Sequence, residues 1–168
     1  MAKISDKTRK GLKSRTRAVI AGRETDEQFG FVNTPIYRGS TVLYPDVATL
    51  KGPRPRFSYG TKGTPTTEAL EKAWTEIAGA AGTVLAPTGL AAISLALMTA
   101  LKAGDHLLVT DSAYQPTRTF CNTVLKRMGV ETQYYDPLIG ADIATLFREN
   151  TSAILVEAPG SQSFEMQD

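Results

Sequence analysis

Cysteine and histidine are almost missing from this chain, one of each in 168 residues. A lone cysteine, Cys121, excludes an internal disulfide and fits a reducing compartment. With His106 as the only imidazole there is no soft-metal cluster of the kind zinc or iron–sulfur sites need. Long apolar runs are absent too. None reaches the roughly 20 residues of a transmembrane helix, and no charged start followed by an apolar stretch marks a secretory signal. Charge of one sign is also lacking: 19 Lys and Arg face 17 Asp and Glu. With 42% hydrophobic residues, the expectation is a soluble cytoplasmic protein with a real core, the size of one ordinary domain.

The most informative stretch that is present runs from 83 to 101, TVLAPTGLAAISLALMTAL. A short apolar strand, 83–86, meets a Pro87-Thr88-Gly89 turn and passes into a helix, 90–101, that is apolar nearly all round. A strand ending in a small-residue turn at a helix start leaves free N–H groups aimed at one spot, which the helix dipole makes attractive to a phosphate. Gly89 lets the backbone come close to such a ligand. The turn lacks the three glycines of a dinucleotide site, and no ribose-binding acid is well placed.

Upstream, eight basic residues (Lys3, Lys7, Arg9, Lys10, Lys13, Arg15, Arg17 and Arg23) lie in the first 23. They carry no interleaved aromatics and no nucleic-acid-reading motif, so a solvated arm or subunit-contact helix is expected rather than a nucleic-acid site. Residues 31–56 are rich in Pro, Gly and Tyr without a sustained period, which reads as an extended arm lying on something else. From Thr66 a helix is predicted, with Thr66 or Thr67 as cap, Glu68 in the first turn, and Leu70, Trp74 and Ile77 on one face. It stops in the glycine-containing region 79–82.

Downstream, a strand at 107–110 follows the Gly104-Asp105 turn. A helix then starts at about Pro116, with Gly129 just past its end, followed by a strand at 131–135, a short helix at 142–148 and a strand at 153–156. The alternation, with strands 107–110 and 153–156 apolar throughout, predicts an α/β fold whose parallel sheet is covered on both faces. His106 is assigned to a strand end, and Cys121 to the core. Ligands of such sheets sit beyond the strands' carboxyl ends, where Gly89, Tyr114 and 157–161 converge.

Three segments in order, FSYGTKGTPTTEALE (57–71), VLAPTGLAAISLAL (84–97) and KAGDHLLVTDSAYQPT (102–117), resemble the Cys/Met-metabolism enzymes that use pyridoxal 5′-phosphate (PLP). The likeness runs from about Pro35 to the last residue. YYDPLIGADI (134–143) and EAPGS (157–161) resemble the β-lyase branch. The family implies a fold type I, aspartate-aminotransferase-like large domain, here truncated. Residues 1–60 would form an N-terminal arm and subunit-contact segment, and 61–168 the first part of the PLP-binding domain.

The resemblance also implies roles. The amides of Gly89 and Leu90 hold the PLP phosphate, and Tyr114 stacks on the pyridine ring and assists proton transfer. Tyr59 reaches across a subunit interface to the neighbour's phosphate, which accounts for an arm that does not pack on its own domain. Thr61 stands where many members carry a phosphate-gripping arginine. Its hydroxyl offers one neutral hydrogen bond in place of a charged fork, and Lys62 stands beside it with a charge. Ser161 occupies the place of an asparagine near the cofactor.

The implied activity is carbon–sulfur lyase chemistry: β-elimination of L-cystathionine to homocysteine, pyruvate and ammonia, in a homo-oligomer built from dimers. The family's Schiff-base lysine and ring-nitrogen aspartate lie on later strands, and no lysine here has the matching Ser-x-Thr-Lys context. The isolated chain is therefore expected to be inactive and prone to association. Alternatives are cysteine desulfhydrase or γ-elimination activity, and a non-catalytic subunit acting by interaction.

Overall fold

The computed structural model describes residues 5–167, so Lys3 of the basic segment lies outside the described residues. The chain divides into two compact units, 1–85 and 86–168.

The first unit holds helices α1 (Asp6–Lys10), α2 (Ser14–Ile20), α3 (Val47–Lys51) and α4 (Pro65–Ala78). Helix α4 begins slightly earlier than the sequence suggests. Its cap is Thr64, whose side chain accepts from Thr67 N while Thr67 Oγ1 accepts from Thr64 N at 2.8 Å. This reciprocal box, with Pro65 opening the helix, outcompetes caps at Thr66 or Thr67. Thr66 serves another purpose: its hydroxyl donates to Pro35 O and accepts from Tyr37 N, both at 2.8 Å. The 31–56 arm is thereby tied to α4 of its own unit. Arg56 reinforces the tie through ion pairs with Glu27 (2.8 Å) and Glu68. Two basic residues of the first segment are also paired internally, Arg9 with Glu24 at 3.4 Å and Arg17 with Glu76 at 3.3 Å.

Helix α2 packs on α4, and Gly22 is the reason they can approach. A Cβ there would lie 2.2 Å from Ala69 O, and its φ of +70° is one that only glycine adopts freely. The face turned inward is thus the alanine face, Ala69 and Ala73. The apolar face read from the sequence, Leu70, Trp74 and Ile77, is exposed.

The second unit is an α/β sheet built from α5 (Gly89–Ala100), β1 (His106–Thr110), α6 (Gln115–Phe120), β2 (Glu131–Tyr135) and β3 (Thr151–Leu155). The strands are parallel in the order β2-β1-β3. Central β1 is buried along its whole length, whereas β3 alternates, with Ser152 and Ile154 exposed. Burial on both faces, expected of two strands, holds for β1 because it alone has a strand on each side. Leu97, Leu101, Leu107, Val109, Cys121 and Leu125 form the core.

Three further expectations are corrected. Residues 83–86 adopt no regular secondary structure and pair with no strand among the described residues, so they form no sheet; a strand exists only where a neighbour takes its backbone groups. Residues 140–146 form a 3-10 helix rather than an α-helix at 142–148. The helix after Tyr114 widens into a π turn at Cys121–Leu125, which sequence periodicity cannot signal. Helix α5, apolar nearly all round, buries Leu97 but leaves Leu95 and Met98 about half exposed.

His106 is buried at the start of β1, its Nδ1 2.8 Å from Thr151 Oγ1, the strand-end role expected of it. Cys121 is fully buried, and burial pushes its thiol pKa up.

Candidate functional site

The chain leaves β1, crosses through α6 to β2 on one side, and later returns to β3 on the other. Chain paths that diverge in this way open a crevice at the carboxyl ends of the two strands, here β1 and β3. The loops after these strands, 111–114 and 156–161, meet at that crevice. Ser161 N donates to Ser112 O at 2.8 Å, and Tyr114 N donates to Glu157 Oε2 at 3.1 Å. Gly160 makes this closeness possible: a Cβ there would stand 2.6 Å from Ser112 Cβ and 2.8 Å from Ser112 Oγ.

Beside the loops lies a cleft of about 320 Å³, lined by Asp111, Ser112, Gln115, Arg118, Ser161 and Ser163 among others. Arg118 Nη1 donates to Asp111 O at 2.6 Å and to Asp111 Oδ1 at 2.5 Å. Its guanidinium carbon also lies 4.1 Å from the centre of the Tyr134 ring. Burial pushes the Tyr134 phenol pKa up, and that phenol donates to Asn122 Oδ1 at 3.0 Å. Arg118 is thus committed to bracing the cleft wall. Sequence reasoning missed Ser112 and Arg118: Asp111 lies in the turn before α6, so no helical spacing signals its pairing with Arg118.

Tyr114 is the residue preceding α6 and is about half exposed. Gly89 and Leu90 open α5. Thr88 caps that helix, its Oγ1 accepting from Ala91 N at 3.1 Å and its carbonyl from Ala92 N at 3.0 Å. Among the described residues nothing accepts from the amides of Gly89 and Leu90. The space in front of Gly89 is open, since a Cβ there would meet no atom within 4 Å. Five residues link the end of α5 to β1, and α5 packs on α6 and β3. A 12-residue helix is about 18 Å long, close to the ~17 Å of a five-residue strand. The free amides thus lie at the end of α5 remote from its link into β1.

Tyr59 and Thr61 belong to the first unit. Tyr59 is extended, bridged to Thr41 in antiparallel fashion, and 42% exposed. Thr61 and Lys62 follow in an exposed 3-10 turn, Gly60–Lys62, where Lys62 N donates to Tyr59 O at 2.9 Å. All three side chains stand out from their own unit. Among the described residues no group of acidic, cysteine or histidine side chains could hold a metal, and no helix is long and apolar enough to cross a membrane.

The model of the Cys/Met metabolism PLP-dependent enzyme family matches residues 15–168, twenty residues further upstream than the segment likeness suggested. A Saccharomyces cerevisiae protein whose name, cystathionine beta-lyase, is provisional is 52% identical over 153 residues, which are 91% of this chain and 45% of that protein. The cystathionine beta-lyase MetC of Escherichia coli is 39% identical over 158 residues, covering 91% of this chain and 40% of MetC. The crystal structure of metB from Corynebacterium glutamicum superposes with a TM-score of 0.85 at 29% identity, over 95% of this chain and 41% of that one. The chain thus spans less than half the length of the curated relatives it matches. With its parallel sheet, the unengaged amides at the start of α5 and a family match over nearly its whole length, the chain belongs to the PLP-dependent enzymes of cysteine and methionine metabolism.

Proposed function

We propose that this chain supplies the phosphate- and ring-binding part of a carbon–sulfur lyase that eliminates the β-substituent of L-cystathionine, giving homocysteine, pyruvate and ammonia. The observation that carries the reading is the pair of unengaged amides at Gly89 and Leu90 with open space before them. A phosphate ester suits that cradle in charge, because the N–H groups and the helix dipole both favour an anion there. PLP, when bound, supplies an electron sink for the charge left on the substrate's α-carbon.

The chain's own residues do the rest. Gly89 N and Leu90 N donate to phosphate oxygens. Tyr114 lies against the ring and handles a proton at its phenol oxygen. Residues 1–60 act as an arm and subunit contact, and 61–168 as the first part of the PLP-binding domain. Tyr59 and Thr61, which stand out from their own unit, extend to the phosphate held by a second copy, with Lys62 adding charge. This makes the working form a homo-oligomer, and the setting is the cytoplasm. The β-lyase reading is favoured over γ-elimination by relatives that carry that name, the yeast and Escherichia coli proteins among them.

Gly89→Val tests the cradle. The added side chain starts from a Cβ that meets no atom of the chain, so the fold should survive by circular dichroism. It fills the space meant for phosphate, so PLP affinity in equilibrium dialysis should fall at least about tenfold, the loss of one good charged hydrogen bond. Equal affinity in parent and variant would refute the site. The reaction itself is tested by assaying the gene's full product for pyruvate release from L-cystathionine, against cysteine and methionine as competing substrates.

A further inference from the structure

Helix α6 starts without a side-chain cap: the residue before it, Tyr114, offers only its carbonyl, which accepts from Thr117 N at 2.9 Å and Arg118 N at 3.2 Å. The amide of Tyr114 itself finds its acceptor on the loop after β3. Glu157, two residues beyond the end of β3, is half-buried and places Oε2 3.1 Å from Tyr114 N. A carboxylate at that point also opposes the positive end of the helix dipole.

Glu157 is itself held. Its carbonyl accepts from Gln167 Nε2 at 3.0 Å, and Gln167 Oε1 accepts from the Tyr135 hydroxyl, also at 3.0 Å. Tyr135 is buried at the end of β2. One chain of bonds therefore links the ends of all three strands to a single amide, that of Tyr114. On the other side of the same loop, Ser161 N clamps Ser112 O, two residues before Tyr114. Such bracing would be superfluous for a loop aromatic that merely covers a sheet edge. It suits a ring whose height over a flat ligand must be fixed.

We propose that Glu157 is a positioning residue: its carboxylate fixes the backbone of Tyr114 and so sets where that ring lies against bound PLP. This rests on the PLP reading above. Glu157 need touch neither the cofactor nor the substrate. The contact requires an oxygen acceptor at that distance, so glutamine can replace glutamate but alanine cannot.

The test uses the ¹⁵N-labelled full chain as parent, Glu157→Ala and Glu157→Gln. The hydrogen-exchange rate of the Tyr114 amide is measured in all three, and PLP binding is followed by equilibrium dialysis. The Tyr114 amide should exchange faster in E157A, which has lost its acceptor, and stay near the parent in E157Q. E157A should bind PLP about tenfold more weakly, the worth of one hydrogen bond to a charged group, while E157Q stays within about threefold of the parent. A Tyr114 amide that exchanges equally in parent and E157A, or an E157A affinity equal to the parent's, overturns the proposal. If the parent binds no PLP, the functional reading fails, while the amide exchange still decides whether Glu157 holds Tyr114. If E157A does not fold, Glu157→Asp, whose side chain is one methylene too short for the contact, takes its place in both measurements.

Discussion

Gly160→Ala should wedge the two loops of the site apart. The new methyl carbon would lie 2.6 Å from Ser112 Cβ, 2.8 Å from Ser112 Oγ and 3.3 Å from Ser163 Oγ. Carbon atoms at ease sit about 3.5–4.0 Å apart, so the overlap is roughly 1 Å against Ser112. Overpacking of that size costs about 1–3 kcal/mol. The Gly160 φ does not lie in the left-handed region, and alanine keeps the N–H that donates to Glu165 O at 2.9 Å. The cost is therefore steric and sits at Ser112.

Ser112→Gly removes both clashing atoms at about 1 kcal/mol of its own, through added backbone freedom and the lost contact with Thr110 Oγ1 at 3.0 Å. The S112G/G160A double variant should consequently be more stable than the sum of the two single changes by about 1–2 kcal/mol, the part of the overpacking cost that the smaller residue relieves. Urea unfolding followed by circular dichroism measures all four corners of the cycle. The reasoning is refuted if G160A is as stable as the parent, or if the two changes simply add. G160A should also bind PLP more weakly, because Ser161 N and Glu157 can no longer hold the 112–114 loop from both sides.

Two further outcomes concern the first unit. Its Glu68 carboxyl is held below the usual glutamate range, mainly by the hydrogen bond from Arg56. That contribution is complete above the ordinary glutamate pKa and is lost as pH falls through the lowered folded value. Thermal melts across this acidic window should show the parent losing stability faster than Glu68→Gln; parallel curves would contradict the assignment. The exposed stripe of Leu70, Trp74 and Ile77 on α4 should drive association of the isolated chain. Trp74→Glu should shift light-scattering mass toward monomer, and an unchanged mass distribution would show that the stripe is not the adhesive face.

The elements of the second unit were legible because each strand and helix carries its own punctuation. Gly104-Asp105 opens β1, Pro116 sits in the first turn of α6, Gly129 follows the helix, and β2 falls at 131–135 as expected. Thr64 was harder to see than Thr66, since a capping box is recognised only when both hydroxyls are known to face each other. Residues 83–86 read as a strand by composition, and composition says nothing about whether a neighbour is there to pair.

The local chemistry of this protein, then, is written along the chain: a small-residue turn at Gly89, a tyrosine after β1, a glutamate after β3, and motifs in family order. These depend on residues adjacent in sequence, whose propensities act over a few bonds. What only tertiary structure decided is which distant groups meet. The Glu157 carboxylate on the Tyr114 amide, Gly160 against Ser112, and the alanine face of α4 turned inward in place of its tryptophan all depend on strand order and helix approach. Close packing sets these, and no residue carries that information alone.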